Sequence, residues 1–345
     1  MNEITIGDQL ISDSSPTFII AEIGINHGGD LEVAKSMVDS AARAGAKVIK
    51  HQTHIVSEEM SEDARSAIPG NSDSSIYDII EANSITLNQE VILKEYVETL
   101  GLIYLSTPFS RAAADFLMDL GVPAFKIGSG ECNNVPLVEH IASFGKPIIL
   151  STGMNGIDSV STVASIMTRA HVRFALLHCV NLYPTPPHLL NLGAITQFRE
   201  IFPTTQIGFS DHSIGNYASF AAVALGANIV ERHFTDHYDR VGPDISCSID
   251  ASGLRDLITG CDAVRQARGG QKTELAEEAV TRNFAYSSVV AIKPIQSGDL
   301  FTQDNIWVKR PGTGEILAND YQELLGKTAT RDIANGEQLR KTDYE

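Results

Sequence analysis

Between Phe18 and Ala267 the chain alternates short β-rich runs with longer helical stretches. FIIAEIG (18–24) leads into LEVAKSMVDSAARAG, and VIKHQT (48–53) is followed by LNQEVILKEYVETLG. LIYLST (102–107) precedes SRAAADFLMDLG, and AFKIGS (124–129) precedes PLVEHIASFG. PIILST (147–152), FALLHC (174–179), QIGFSD (206–211) and NIVERHF (228–234) repeat the pattern, which makes eight strand-plus-helix units. Regular β-α alternation demands parallel strands, because each helix must carry the chain back to the start of the next strand. Eight such units predict a closed α/β (β/α)8 TIM barrel, and no Gly-rich dinucleotide fingerprint follows the first strand to support an open sheet. Gly45, Gly121 and Gly226 close helical stretches where a left-handed cap is expected.

After residue 267 the pattern changes. We read 1–267 as the barrel domain, 268–283 (RGGQKTELAEEAVTRN) as a polar linker, and 284–345 as a small, mostly β module. Its punctuation is KP, SGD, RPG and NGE. The formal net charge of −17 argues against binding nucleic acid or an anionic membrane through the general field. An anionic substrate would therefore need a few placed cations. No apolar run is long enough to span a bilayer, and no secretory signal precedes the barrel. Four scattered cysteines without a CxxC pair fit reduced thiols in a cytoplasmic protein.

A barrel of this kind carries its chemistry at the C-terminal ends of its strands. All eight strand ends here hold polar groups. They are Glu22; Lys50 and Gln52; Thr107; Lys126 and Ser129, with Glu131 beyond; Ser151; Asn181 and Tyr183; Ser210 and His212; and Glu231 and His233. Any one of these is ordinarily a satisfied structural group. Burying the whole set without partners would cost several kcal/mol for each charge, roughly. Lys50 and Lys126 among hydroxyls suit a small multivalent anion. His212 and His233 end neighbouring strands and form a candidate pair of ligands for one divalent cation, with core histidines as the competing reading.

The phrases EIGINHGGDL, IKHQTHI, STPFS, FKIGSGE, LSTGM, HCVNLYPTP, IGFSDHS, VERHFTD, GPDISCS and WVKRPG closely resemble bacterial sialic acid synthases, the N-acetylneuraminate synthase family. The resemblance covers nearly the whole chain and makes the C-terminal module similar to an antifreeze-like (SAF) domain. It implies condensation of phosphoenolpyruvate with N-acetylmannosamine and water, giving N-acetylneuraminate and phosphate. It also implies a divalent metal, Mn2+ first and Mg2+ or Co2+ as alternatives, and a domain-swapped homodimer in which the small domain caps the partner's barrel.

By the family pattern, Lys126, Ser129, Ser151 and Asn181 hold the phosphate, and Lys50, Thr107 and Ser210 the carboxylate. Gln52, Tyr183 and Asp244 hold the sugar, with Phe109 and Phe284 as walls and Arg310 on the capping domain. His212 and His233 are the metal ligands. Glu131 is the first choice for proton transfer and Glu22 the second. The rival within the family is a synthase of legionaminic or pseudaminic acid. HQTHI and the loop IPGNSDSSIYDII (68–80) look closer to the N-acetylneuraminate branch. Outside it, Lys50 or Lys126 would serve a pyruvate aldolase through a Schiff base.

Overall fold

A computed structural model describes residues 3–68 and 74–345. The chain divides into two compact units, Met1–Gly269 and Gly270–Glu345.

In the first unit eight parallel strands form one sheet. They are β1 (Phe18–Gly24), β2 (Val48–Thr53), β3 (Ile103–Pro108), β4 (Phe125–Ile127), β5 (Ile148–Ser151), β6 (Phe174–Cys179), β7 (Gln206–Asp211) and β8 (Ile229–His233). The hydrogen-bonded order runs β3-β2-β1-β8-β7-β6-β5-β4, and β3 and β4 meet to close the barrel. Several of the helices between them carry side-chain caps. Asp30 accepts from the amides of Glu32 and Val33 to start Leu31–Ala44, and Gly45 ends that helix at φ 101°.

The period-two rhythm of the strands sorts their side chains into two environments. Outward residues join the helices in a large apolar core. Inward residues form two layers. Ile20, Val48, Leu105, Ala124, Ile149, Leu177 and Ile229 fill the lower barrel as a second apolar cluster. The next inward residues towards the C-terminal ends are Glu22, Lys50, Thr107, Lys126, Ser151, Cys179, Ser210 and Glu231, all buried.

Three features differ from the sequence reading. An antiparallel hairpin, Ile4–Ile6 with Gln9–Ile11, precedes the barrel, and its Ile4, Ile6 and Ile11 join the lower apolar layer. The alternation in ITIGDQLI around Gly-Asp is its signal. Within the stretch read as a loop at 68–80, residues 69–73 lie outside the described residues, while Ile76–Asn83 is a helix. Ser75 caps it, its Oγ accepting from the Asp78 amide at 3.1 Å. The stretch read as a linker contains most of a short helix, Ala279–Ala285.

The second unit has its own core of Val289, Ile295, Phe301, Ile306, Leu324 and Leu339, among others. Strands Ser288–Ala291 and Ile306–Lys309 pair antiparallel. Trp307 packs edge-on to Tyr321 at 5.3 Å between ring centroids. Arg310 and Phe284 are both exposed on this unit. Among the described residues no helix is long and apolar enough to cross a membrane, and all four cysteines are free and buried.

Candidate active site

Strand register decides which polar groups meet. Glu22 on β1 pairs with Lys50 on β2 and with His233 on β8, and Glu231 pairs with Ser210 on β7. Lys50 Nζ consequently donates to Glu22 Oε1 at 2.6 Å and to Thr107 Oγ1 at 3.1 Å. Glu231 Oε1 lies between the two lysines, 3.6 Å from Lys50 Nζ and 3.5 Å from Lys126 Nζ. Gln52 Nε2 donates to the same Glu22 oxygen at 2.7 Å.

Burial and charge act unequally on these groups. Burial would raise the Glu22 carboxyl, but His233 and Lys50 overcome it and hold it well below the usual carboxylate range. Burial pushes the Lys50 ammonium down, and Glu22 and Glu231 outweigh that and hold it above the ordinary lysine value. For Lys126 the balance reverses. Burial pushes it down, Glu231 only partly compensates, Lys50 adds repulsion, and the net direction is downward. Lys126 is thus a buried cation short of negative charge.

Around it stand unengaged donors. Ser151 Oγ is buried without a hydrogen-bond partner. Ser129 Oγ accepts from the Gly153 amide at 3.0 Å, which leaves its own proton for a ligand. These groups, with Asn181, line one cavity of about 500 Å³. It is also lined by Glu22, Lys50, Gln52, Thr107, Phe109, Lys126, Tyr183, Ser210, His212, His233 and Asp244. The barrel residues singled out from the sequence therefore converge here, apart from Glu131. Glu131 sits in the 3-10 turn after β4, is not part of the cavity lining, and accepts from Asn134 Nδ2 at 2.6 Å. Burial pushes its carboxyl up, Asn134 opposes, and the Glu59 charge adds to the rise. Phe284 and Arg310 belong to the second unit.

Among the described residues no group of three or more His, Cys, Asp or Glu side chains is arranged around a metal position. The two imidazoles nonetheless suit a cation. His212 Nδ1 donates to the Val180 carbonyl at 2.9 Å, which leaves Nε2 with its lone pair. His233 Nδ1 is buried without a hydrogen bond, 3.6 Å from Asp244 Oδ2. The rings lie 5.3 Å apart, and Tyr183 stacks on His212 at 4.2 Å. His178 points away from this group; its Nε2 donates to the Leu190 carbonyl at 2.7 Å, and the ring stacks on Phe209 in the core.

Three contributions to the site were not read from the sequence, although Glu231 itself was named there as a strand-end polar group. Glu231 joins the two lysines, and its spacing of two from His233 was the available signal. Gly153, in LSTGM, brings its amide against Ser129 so closely that a Cβ there would lie 1.9 Å from Asn181 Oδ1. Met60, Ile76, Ile79 and Ile80 line the cavity from the segment after β2. The three isoleucines follow i, i+3, i+4 spacing on the helix Ile76–Asn83.

Gly153→Ala should displace Asn181 and Ser129 and weaken anion binding at Lys126. Loss of one charge-assisted hydrogen bond is worth about 1.5–3 kcal/mol, roughly tenfold to hundredfold in affinity. Calorimetric titration reads it, and unchanged affinity would rule out the packing role.

Comparison with known proteins places this geometry. Residues 37–273 match the NeuB family and residues 286–345 match the SAF domain. The N,N'-diacetyllegionaminic acid synthase of Campylobacter jejuni is 35% identical over 335 residues, covering 94% of this chain and 99% of that protein. The N-acetylneuraminate-9-phosphate synthase of Homo sapiens is 34% identical, covering 92% of this chain and 89% of its own. The crystal structure of N-acetylneuraminic acid synthetase from Leptospira borgpetersenii serovar Hardjo-bovis has a TM-score of 0.74 at 33% identity. It covers 81% of this chain and 94% of its own. A NeuB match over more than half of the chain, followed by a SAF domain and joined by relatives of this identity and coverage, shows that the chain belongs to the NeuB family.

Proposed function

We propose that this chain condenses phosphoenolpyruvate with an N-acetylated mannosamine and water, releasing phosphate and a nonulosonic acid. N-acetylmannosamine, giving N-acetylneuraminate, is the reading carried from the sequence. The observation that carries the reaction is Lys126, a buried cation drawn below its ordinary value among unengaged hydroxyls. A phosphate there gains charge-assisted bonds from Lys126, Ser129, Ser151 and Asn181. The carboxylate of the same substrate lies against Lys50, Thr107 and Ser210.

C3 of phosphoenolpyruvate attacks the open-chain aldehyde, forming the carbon–carbon bond and leaving C2 cationic. Water adds at C2, and the tetrahedral intermediate expels phosphate with cleavage of the C–O bond. No lysine forms a covalent bond in this sequence, because the enol carbon is the nucleophile. Gln52, Tyr183 and Asp244 orient the sugar, and Phe109 walls it. Glu22, held ionised, orients water or the sugar. Glu131, whose carboxyl is pushed up by burial, is the candidate for proton transfer, which requires its bond to Asn134 to be exchanged for substrate. His212 and His233 would hold the divalent cation, Mn2+ in our reading, which as a Lewis acid would polarise the aldehyde oxygen.

Exposed apolar side chains support a second subunit: Met154, Ile214, Tyr217 and Val241, in the segments that follow β5, β7 and β8, call for cover. In a domain-swapped dimer the partner's second domain would supply it, with Arg310 and Phe284 facing the sugar. A second reading concerns the sugar alone: a 2,4-diacetamido-2,4,6-trideoxy substrate is favoured by the isoleucine wall.

Incubation with phosphoenolpyruvate and N-acetylmannosamine should release phosphate and a 2-keto-3-deoxy acid. EDTA should abolish the reaction and Mn2+ restore it; metal-independent turnover would remove the cation from the proposal. Glu131→Gln should lower turnover about 10²–10⁴-fold, and near-normal turnover would assign the proton elsewhere.

The pH dependence follows from Lys126. Its ammonium loses its proton below the ordinary value of 10.5 in the free site, and a bound phosphate restores the charge. Affinity for phosphoenolpyruvate should therefore fall as pH rises through the free-site value, with net proton uptake above it. Calorimetry in buffers of different ionisation enthalpy reads the uptake, and Lys126→Met should remove it. Binding without uptake across the alkaline range would refute this.

The swapped arrangement predicts complementation. Arg310→Ala and Lys50→Ala should each be impaired alone, and mixing them should restore part of the activity as subunits exchange. Failure to recover activity in mixed dimers would place Arg310 on an ordinary surface turn.

A further inference from the structure

The condensation leaves one buried histidine of the cavity without a part. His54 follows β2 and lines the cavity together with Glu59, the last residue of the short helix Val56–Glu59. Their side chains are only 2% and 4% exposed, so their polar atoms must find partners within the protein. The His54 ring stacks on Phe109 at 4.4 Å between centroids, 12° from parallel. Packing therefore fixes the plane of the ring, and with it the direction of both nitrogens.

Each nitrogen faces an acceptor. Nδ1 lies 3.0 Å from both oxygens of Glu59, and Nε2 lies 3.2 Å from Gln52 Oε1. The orientation of that amide is set from its other end. Gln52 Nε2 sits 2.7 Å from Glu22 Oε1, a distance a carboxylate oxygen accepts only from a donor. A flipped amide would place oxygen against oxygen at Glu22. Imidazole donates from both nitrogens only when each carries a proton. Glu59 favours that form, because a buried carboxylate needs a counter-charge and among the described residues its side-chain partner is His54.

The bonds consequently run in a fixed sense across the cavity. His54 donates to Glu59 on one side and to Gln52 on the other, and Gln52 donates to Glu22. Lys50 Nζ ends on the same Glu22 oxygen at 2.6 Å, while Glu22 Oε2 stays 3.6 Å from His233 Nε2. Gly24 crowds the amide as well, since a Cβ there would lie 3.1 Å from Gln52 Nε2. Gln52 is left with one amide proton and one carbonyl lone pair for a molecule entering the cavity.

Resting on the condensation proposed above, we infer that His54, held by Glu59, is a positioning residue that locks the Gln52 amide in the orientation that serves Glu22 and the sugar. Without His54 the buried Oε1 of Gln52 loses its partner, the amide swings, and Glu22 loses its second tie. The groups assigned to phosphate stand on or after β4, β5 and β6 and keep their geometry.

Two variants break the chain at different links. His54→Phe keeps an aromatic ring beside Phe109 and removes both nitrogens. Glu59→Gln leaves the imidazole in place and removes the charge opposite it, which tests the same link should His54→Phe fail to fold. Each should lower kcat/KM for N-acetylmannosamine about tenfold, the rough worth of one buried hydrogen bond, with KM for phosphoenolpyruvate unchanged. In a Gln52→Ala background both effects should shrink to about twofold or less, because no amide remains to be oriented. Effects as large in that background as in the wild type, or a rise in KM for phosphoenolpyruvate matching the loss with the sugar, overturn the positioning role and leave the condensation standing. Failure of the wild type to release phosphate with any N-acetylated mannosamine overturns the condensation, and the role of His54 with it.

Discussion

Two lysines and two glutamates share the floor of one cavity, and each is almost wholly cut off from water. Removing an ion from water costs several kcal/mol even after relaxation, roughly, so these four tolerate burial only together. Lys50 is compensated by Glu22 and Glu231, but Lys126 shares Glu231 and has no carboxylate of its own. The asymmetry gives the site its polarity: one end is electrostatically closed and the other lacks an anion. It also couples the parts. Glu22 receives Lys50 and Gln52 and lies 3.6 Å from His233, so the closed end and the imidazoles are joined through a single carboxylate.

The same strands are clamped from behind. Asp211 lies between Ser210 and His212 in sequence, and Arg232 between Glu231 and His233. Alternation sends these two to the outer face, where they form a buried ion pair at 2.7 Å. Asp211 also accepts from the Ser213 amide at 2.8 Å and from Ser219 Oγ at 2.6 Å, and Arg232 donates to the carbonyls of Ser213 and Cys247. The turns that follow the two imidazole-bearing strand ends are thereby fixed to one another. Paired charges on the outside hold the spacing of the groups on the inside.

How much of this was legible depended on the range of the signal. The eight strands and their inward polar residues announce themselves through local periodicity, and burial makes a charge at such a position costly enough to notice. The N-terminal hairpin is short, and its apolar residues have meaning only against the barrel floor they cover. Glu231 was visible as a residue but not as the bridge between Lys50 and Lys126, since that requires three strands distant in sequence to be brought side by side. Gly153 has no side chain to notice; its importance lies in the space Asn181 occupies. The isoleucines of the helix Ile76–Asn83 were submerged in a stretch read as loop, because a two-turn helix beside Asn and Ser carries little periodicity.

Location also separates two kinds of constraint. The charges of the cavity floor are rooted in strands, where register fixes them and a change at one disturbs its neighbours' desolvation balance. The isoleucine wall stands on a short helix after β2, outside the barrel core and without a charge. Substituting a residue there alters the cavity lining and leaves the ion set intact. A site built this way can change its apolar lining without disturbing its charged floor. That is the physical reason the strand-end residues stand out in the sequence while the apolar part of the cavity lining, on the segment least regular in sequence, does not.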